Sequence, residues 1–140
     1  MAMQWLGRQP YSAAKLRGRL ERAGVEPEAV EECLARLSGW GYLDDRKFAS
    51  GRVAVLKGRL KSRAYVEYDL LNQGLTPAVV TEVLAVEYPL EEEMAMLGRL
   101  LKRKPGQPGD PAREYQRLIR AGFAEEAVRR CLPEPSPPLT

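Results

Sequence analysis

Apolar residues recur along this chain at helical rather than strand spacing. Val30, Cys33, Leu34 and Leu37 fall on one face of a 3.6-residue period, and Ala13, Leu16, Leu20 and Ala23 form a second stripe opposite Lys15, Arg19 and Arg22. No stretch alternates convincingly, so the expected class is all-α.

Three segments align without a gap on Gly24, Gly74 and Gly122. Twelve residues before each glycine stands an N-cap type: Ser12, Ser62 and Asp110, the last followed by Pro111. Leu20, Leu70 and Leu118 stand four before it, Val30, Val80 and Val128 six after, and Leu34, Leu84 and Leu132 ten after. These offsets predict a helix that stops at a glycine able to take positive φ, then a second helix. Val25, Leu75 and Phe123, next after the glycines, are placed to fold back on the last turn. Pro27 and Pro77 suit a first helical turn.

One further helical segment precedes each hairpin, at Ala2 to Arg8, Asp45 to Arg59 and Glu91 to Arg103. The unit is three helices used three times, with a period near 50 residues. The expected organisation is repeats at 1–38, 39–88 and 89–132, a breaker-rich connection at 104–109, and a disordered proline-rich tail at 133–140.

The stretch GWGYLDDRKFA, Gly39 to Ala49, reads as the corner between the first two repeats. Gly39 ends one helix and Asp44 caps the next; Leu43 and Phe48 take the two positions of a hydrophobic staple, and Trp40 and Tyr42 are available to pack between repeats. Asp44 and Asp45 then do no chemistry. Glu91, Glu92 and Glu93 read as first-turn acids that complement a helix dipole.

Composition narrows the chemistry. With 44% hydrophobic and 29% charged residues over 140 positions, the chain is an ordinary domain able to bury a core. Its apolar runs are too short for a membrane span, and Gln4, Gly7 and Arg8 spoil any early secretory segment, so a cytoplasmic location is expected. There is no histidine, and Cys33 and Cys131 lack CxxC spacing, so a catalytic triad is impossible and buried reduced thiols are expected in place of a disulfide or zinc site. No phosphate-cradling glycine loop appears. The expectation is a non-enzyme with no cofactor and no metal.

The bases carry more information. Net charge is +3 with a pI near 9.0, which favours an acidic partner. Arg46, Lys47, Arg52, Lys57, Arg59, Lys61 and Arg63 occur in a run without one acid. A solvated helix face would intersperse opposite charges, so the run predicts a positive surface suited to phosphate or an acidic protein groove. The Lys15, Arg19 and Arg22 stripe, with Arg99, Lys102, Arg103 and Lys104 further on, completes the candidate binding set.

These residues resemble the bacterial RecX regulatory family. The match runs through Leu6, Arg8, Ser12, Leu16, Leu20 and Gly24, the Val30 to Leu37 stripe, "GYLDDRKFA", "DLLNQGL" and "RLIRAGF", from about Leu6 to Leu132. The resemblance implies an elongated, curved array of three helix-turn-helix-like repeats. Such a protein binds the RecA recombinase filament on single-stranded DNA and modulates it, mostly by inhibition, in recombination and DNA repair. It implies a monomer whose contact with the DNA itself is open. Lys15 and Asp69 stand where the family usually has glutamate, Lys61-Ser62 where glycine is common, and Glu114 at the apolar position held by Leu16 and Val66. A helix-turn-helix-like module acting directly on DNA is the alternative, although its second hairpin helices carry mostly Glu, Ala and Val.

Overall fold

A computed structural model describes residues 1–102 and 111–132, with the side chains of Lys102 and Pro111 excepted. The expectations for the 104–109 connection, the Asp110 cap, Arg103, Lys104 and the tail lie outside the described residues. Among those described there are nine helices and no strand: α1 (Ala2–Arg8), α2 (Ala13–Arg22), α3 (Pro27–Gly39), α4 (Asp45–Gly58), α5 (Arg63–Asn72), α6 (Pro77–Glu87), α7 (Leu90–Lys102), α8 (Pro111–Arg120) and α9 (Glu125–Cys131). The pairs α2–α3, α5–α6 and α8–α9 form hairpins, and α4 and α7 pack on α6 and α9. None of these helices is long and apolar enough to cross a membrane.

The helices begin and end for local reasons. Ser12 Oγ accepts from Lys15 N at 3.2 Å and Ser62 Oγ from Tyr65 N at 3.1 Å. Asp44 Oδ1 accepts from Arg46 N and Lys47 N, at 3.0 and 3.3 Å. At the hairpin corners Gly24, Gly74 and Gly122 take φ of 86°, 88° and 95°. The amide after each glycine returns to the leucine carbonyl five residues back: Val25 to Leu20, Leu75 to Leu70 and Phe123 to Leu118. This closure satisfies carbonyls that a helix end leaves orphaned. The α3 end uses the same device, but the left-handed residue is Gly41 at 81°, while Gly39 is the last helical residue. Leu60, at φ 61°, holds the equivalent place after α4 without being glycine.

Two cores form. One joins Leu16, Leu20, Val30, Leu34, Leu37 and Leu43. The other runs from Ala49 in α4 to Val128 in α9 through Leu70, Leu84, Leu97 and Phe123. The corner differs from expectation in two ways. Leu43 enters the first core whereas Phe48 packs against the second, so the staple positions straddle the two cores. Trp40 and Tyr42 are 63% and 55% exposed and do not fill the space between units. Closing α3 on Gly41 leaves both rings on the outside of the turn. Cys33 and Cys131 are free but only half-buried; the Cys131 thiol donates to Met94 O at 3.4 Å, and burial pushes its pKa up.

The units are joined by a repeated polar stitch. The hydroxyl of fully buried Ser12, besides capping α2, donates to the carbonyl of Gln73, the C-cap of α5, at 2.5 Å. Ser62 does the same to Ala121 at the end of α8, at 3.1 Å. The first amide of each capped helix then goes to a carboxylate of the next unit: Ala13 N to Asp45 Oδ1 at 2.8 Å, and Arg63 N to Glu93 Oε1 at 2.9 Å. Close approach demands the corner glycines a second time. A Cβ on Gly74 would lie 2.4 Å from Ala14 Cβ, and one on Gly122 would lie 2.7 Å from Ser62 Oγ.

Candidate functional site

The sequence run without acids finds its acids in space. Arg46 pairs with Glu82 of α6, and Arg52 makes a two-pronged bond to Asp69 of α5 at 2.7 and 2.9 Å. That bond raises the Arg52 pKa against the opposite pull of burial. Lys57 binds Glu92 of α7 and the Glu87 carbonyl, and lies over the Tyr88 ring. Arg63 Nε donates to Tyr88 O at 2.7 Å. Lys61 sits 4.7 Å from the Tyr65 ring centre. Arg19 is held between aromatics, 4.1 Å over Trp5 and hydrogen-bonded to the Tyr11 hydroxyl. Four charged members of the run and one of the α2 stripe therefore hold helices together.

Glu93 is the feature that sequence reasoning missed. It is fully buried, with no cation paired to it among the described residues; its other oxygen accepts from Ala124 N at 3.3 Å, so one carboxylate ties the starts of α5 and α9. It is not a solvated dipole partner. Beside it, Tyr88 is fully buried and donates to Lys61 O at 2.7 Å. Burial first, and then the Glu93 charge, hold the Tyr88 hydroxyl protonated well above the usual tyrosine range. The signal available in advance was the Ser-x-Ala pattern, Ser12 to Ala14 and Ser62 to Ala64, which marks where a neighbouring unit comes close.

What remains free is a smaller set. Lys15, Arg22, Lys47, Arg59 and Arg99 are exposed and carry no ion-pair partner among the described residues. Only two of them converge. Lys15 and Lys47 line one open hollow of about 580 Å³ between the α1–α2 connection and α4. It merges, through Gln9, Pro10, Tyr11, Lys47 and Phe48, with a second hollow of about 650 Å³ that reaches Arg8 and Tyr42. Arg8, outside the predicted candidates, adds a third cation unpaired among the described residues. Together the hollows make a groove along the joint of the first two units, beside the Ser12 stitch. Its lining supplies charge and apolar contact, and among the described residues no cluster of His, Cys, Asp and Glu is suited to a metal.

Comparison with known proteins agrees with this architecture. A family model described as "RecX, first three-helix domain" matches residues 1–37. The Regulatory protein RecX of a Thermus thermophilus strain is 38% identical over 122 residues, which cover 87% of this chain and 80% of that protein. The chain belongs to the RecX family. The Deinococcus radiodurans Regulatory protein RecX is 35% identical over 130 residues, 91% of this chain but 62% of that longer protein. Among solved structures, RecX from Lactobacillus salivarius superposes with a TM-score of 0.83 over 93% of this chain and 88% of its own, at 14% identity. Another RecX crystal structure gives 0.74 over 92% of this chain and 66% of its own, at 21% identity. These likenesses establish the RecX fold as all-helical, in three-helix units, and the named relatives place the chain in a family of regulatory proteins.

Proposed function

We propose that this chain binds a RecA-type recombinase filament on single-stranded DNA and restrains its strand exchange and ATP hydrolysis, as a cytoplasmic monomer without a cofactor. The observation that carries the reading is the relation to the Thermus RecX over most of both chains. The fold supports it, because rigid units in series can each make a weak contact while docking of one raises the effective concentration of the rest. No chemistry is needed: a protein that binds one filament state better than another shifts the filament toward that state. Added at micromolar excess and low salt, the purified chain should slow recombinase ATP hydrolysis and strand exchange. Unchanged rates would end this reading.

The direct DNA-binding alternative meets an electrostatic obstacle. On the third helix of each unit no cation is left over: Arg36 pairs with Glu32, Arg129 with Glu125 and Arg130 with Glu126, and α6 carries no base, whereas a recognition helix needs cations for the phosphates. Selective binding of one duplex sequence without recombinase would restore it.

A further inference from the structure

We infer that the groove between the first two units holds an extended acidic peptide bearing apolar side chains; this rests on the functional reading above and names the part of the recombinase that is gripped. Arg8, Lys15 and Lys47 stand along the groove without ion-pair partners among the described residues, against a single carboxylate in the lining, Asp44, while Asp69 is paired with Arg52. The groove is therefore net positive and would attract carboxylates. Between the cations its walls are apolar, from Pro10, Phe48 and Val55, and Val55 is a large hydrophobic left 47% exposed. Gly51 forms part of the lining, and a Cβ there would meet nothing within 4 Å, so a main chain can come close to α4 at that point.

A single strand of nucleic acid fits less well. Strand-binding grooves combine backbone-tracking charge with open aromatic faces on which bases stack. Here the Tyr11 hydroxyl is fixed by Gln9 and Arg19, Phe48 is half-buried against the second core, and Arg52 is neutralised. Of the rings that line the groove, Tyr42 alone is mostly exposed. A few cations separated by apolar wall match a peptide that alternates carboxylates with apolar residues. Because α1–α2 and α4 form opposite walls, the occupied groove clamps the first unit to the second.

The test uses the full chain with recombinase filaments assembled on oligo(dT), and oligo(dT) alone. Lys15→Glu with Lys47→Glu should weaken filament binding by about tenfold or more without lowering thermal stability, since neither side chain has an ion-pair partner to lose and both stand in a first helical turn, where glutamate is favoured. Lys15→Gln with Lys47→Gln should give a smaller loss in the same direction. A photo-crosslinking Gly51→p-benzoylphenylalanine should capture a recombinase peptide rich in Asp, Glu and apolar residues. Capture of oligo(dT) instead, or parallel loss of oligo(dT) affinity in the charge variants, overturns the peptide occupant. Filament binding that is unaffected by both charge variants, with no crosslink from position 51, overturns the groove and leaves the functional reading standing. Failure of the unmodified chain to bind filaments defeats that reading itself.

Discussion

Ser12 and Ser62 stitch successive units in the same way, yet the space around the two stitches is filled differently. Between the second and third units one apolar cluster continues from α4 to α9, and the carboxylate of Glu93 is sealed inside it. Between the first and second units each side keeps its own core, and the joint consists of the Ser12 and Asp45 hydrogen bonds, the Ala14 contact with Gly74, and an open groove. Hydrogen bonds between units set their register, whereas shared apolar burial makes them unfold together. The first unit should therefore open independently, and in native-state hydrogen exchange amides of α2 and α3 should exchange before those of α5, α6 and α9.

The sharpest way to break this contrast is Glu93→Ala. It strands two part-buried amides and should cost about 3 kcal/mol in urea unfolding, removing the third unit's protection while leaving the first unit's intact. Next come the corner glycines. Gly24→Ala meets open space and should cost only the left-handed strain, about 1 to 2 kcal/mol. Gly74→Ala and Gly122→Ala add a clash with the adjoining unit and should cost about 1 to 3 kcal/mol more. Equal losses at all three would show that the joints relax freely. Ser12→Ala and Ser62→Ala should each cost about 1 kcal/mol, with Ser12→Ala chiefly loosening the first unit.

The last effect shows only at alkaline pH. Tyr88 ionises later in the folded chain than in the unfolded one, so its contribution to stability is complete below the unfolded value and is lost as pH rises through the folded one. An absorbance titration should show a late-ionising tyrosine that disappears in Tyr88→Phe.

The helices and their corners were legible because their causes are local. Ser12, Ser62 and Asp44 cap helices a few residues away, and Gly24, Gly74 and Gly122 act on the turn they end. The site was legible only in part. That Arg52 answers Asp69, or that Lys57 answers Glu92, depends on which helices meet, and neither pair is close in sequence. Glu93 looked like its neighbours Glu91 and Glu92 because burial is a property of the assembled units. Trp40 and Tyr42 are available in sequence to pack between repeats, but the turn closing on Gly41 directs the chain so that they stay outside.

The acceptor at each stitch is a main-chain carbonyl, Gln73 at one and Ala121 at the other, so the side chain at that place carries no information. A unit announces where its neighbour docks with a serine, an alanine two residues later and a glycine across the gap. Substitutions at exposed positions away from these contacts should leave the spacing of the units unaltered. The same fold is held by a RecX chain that shares 14% of its residues, at a TM-score of 0.83.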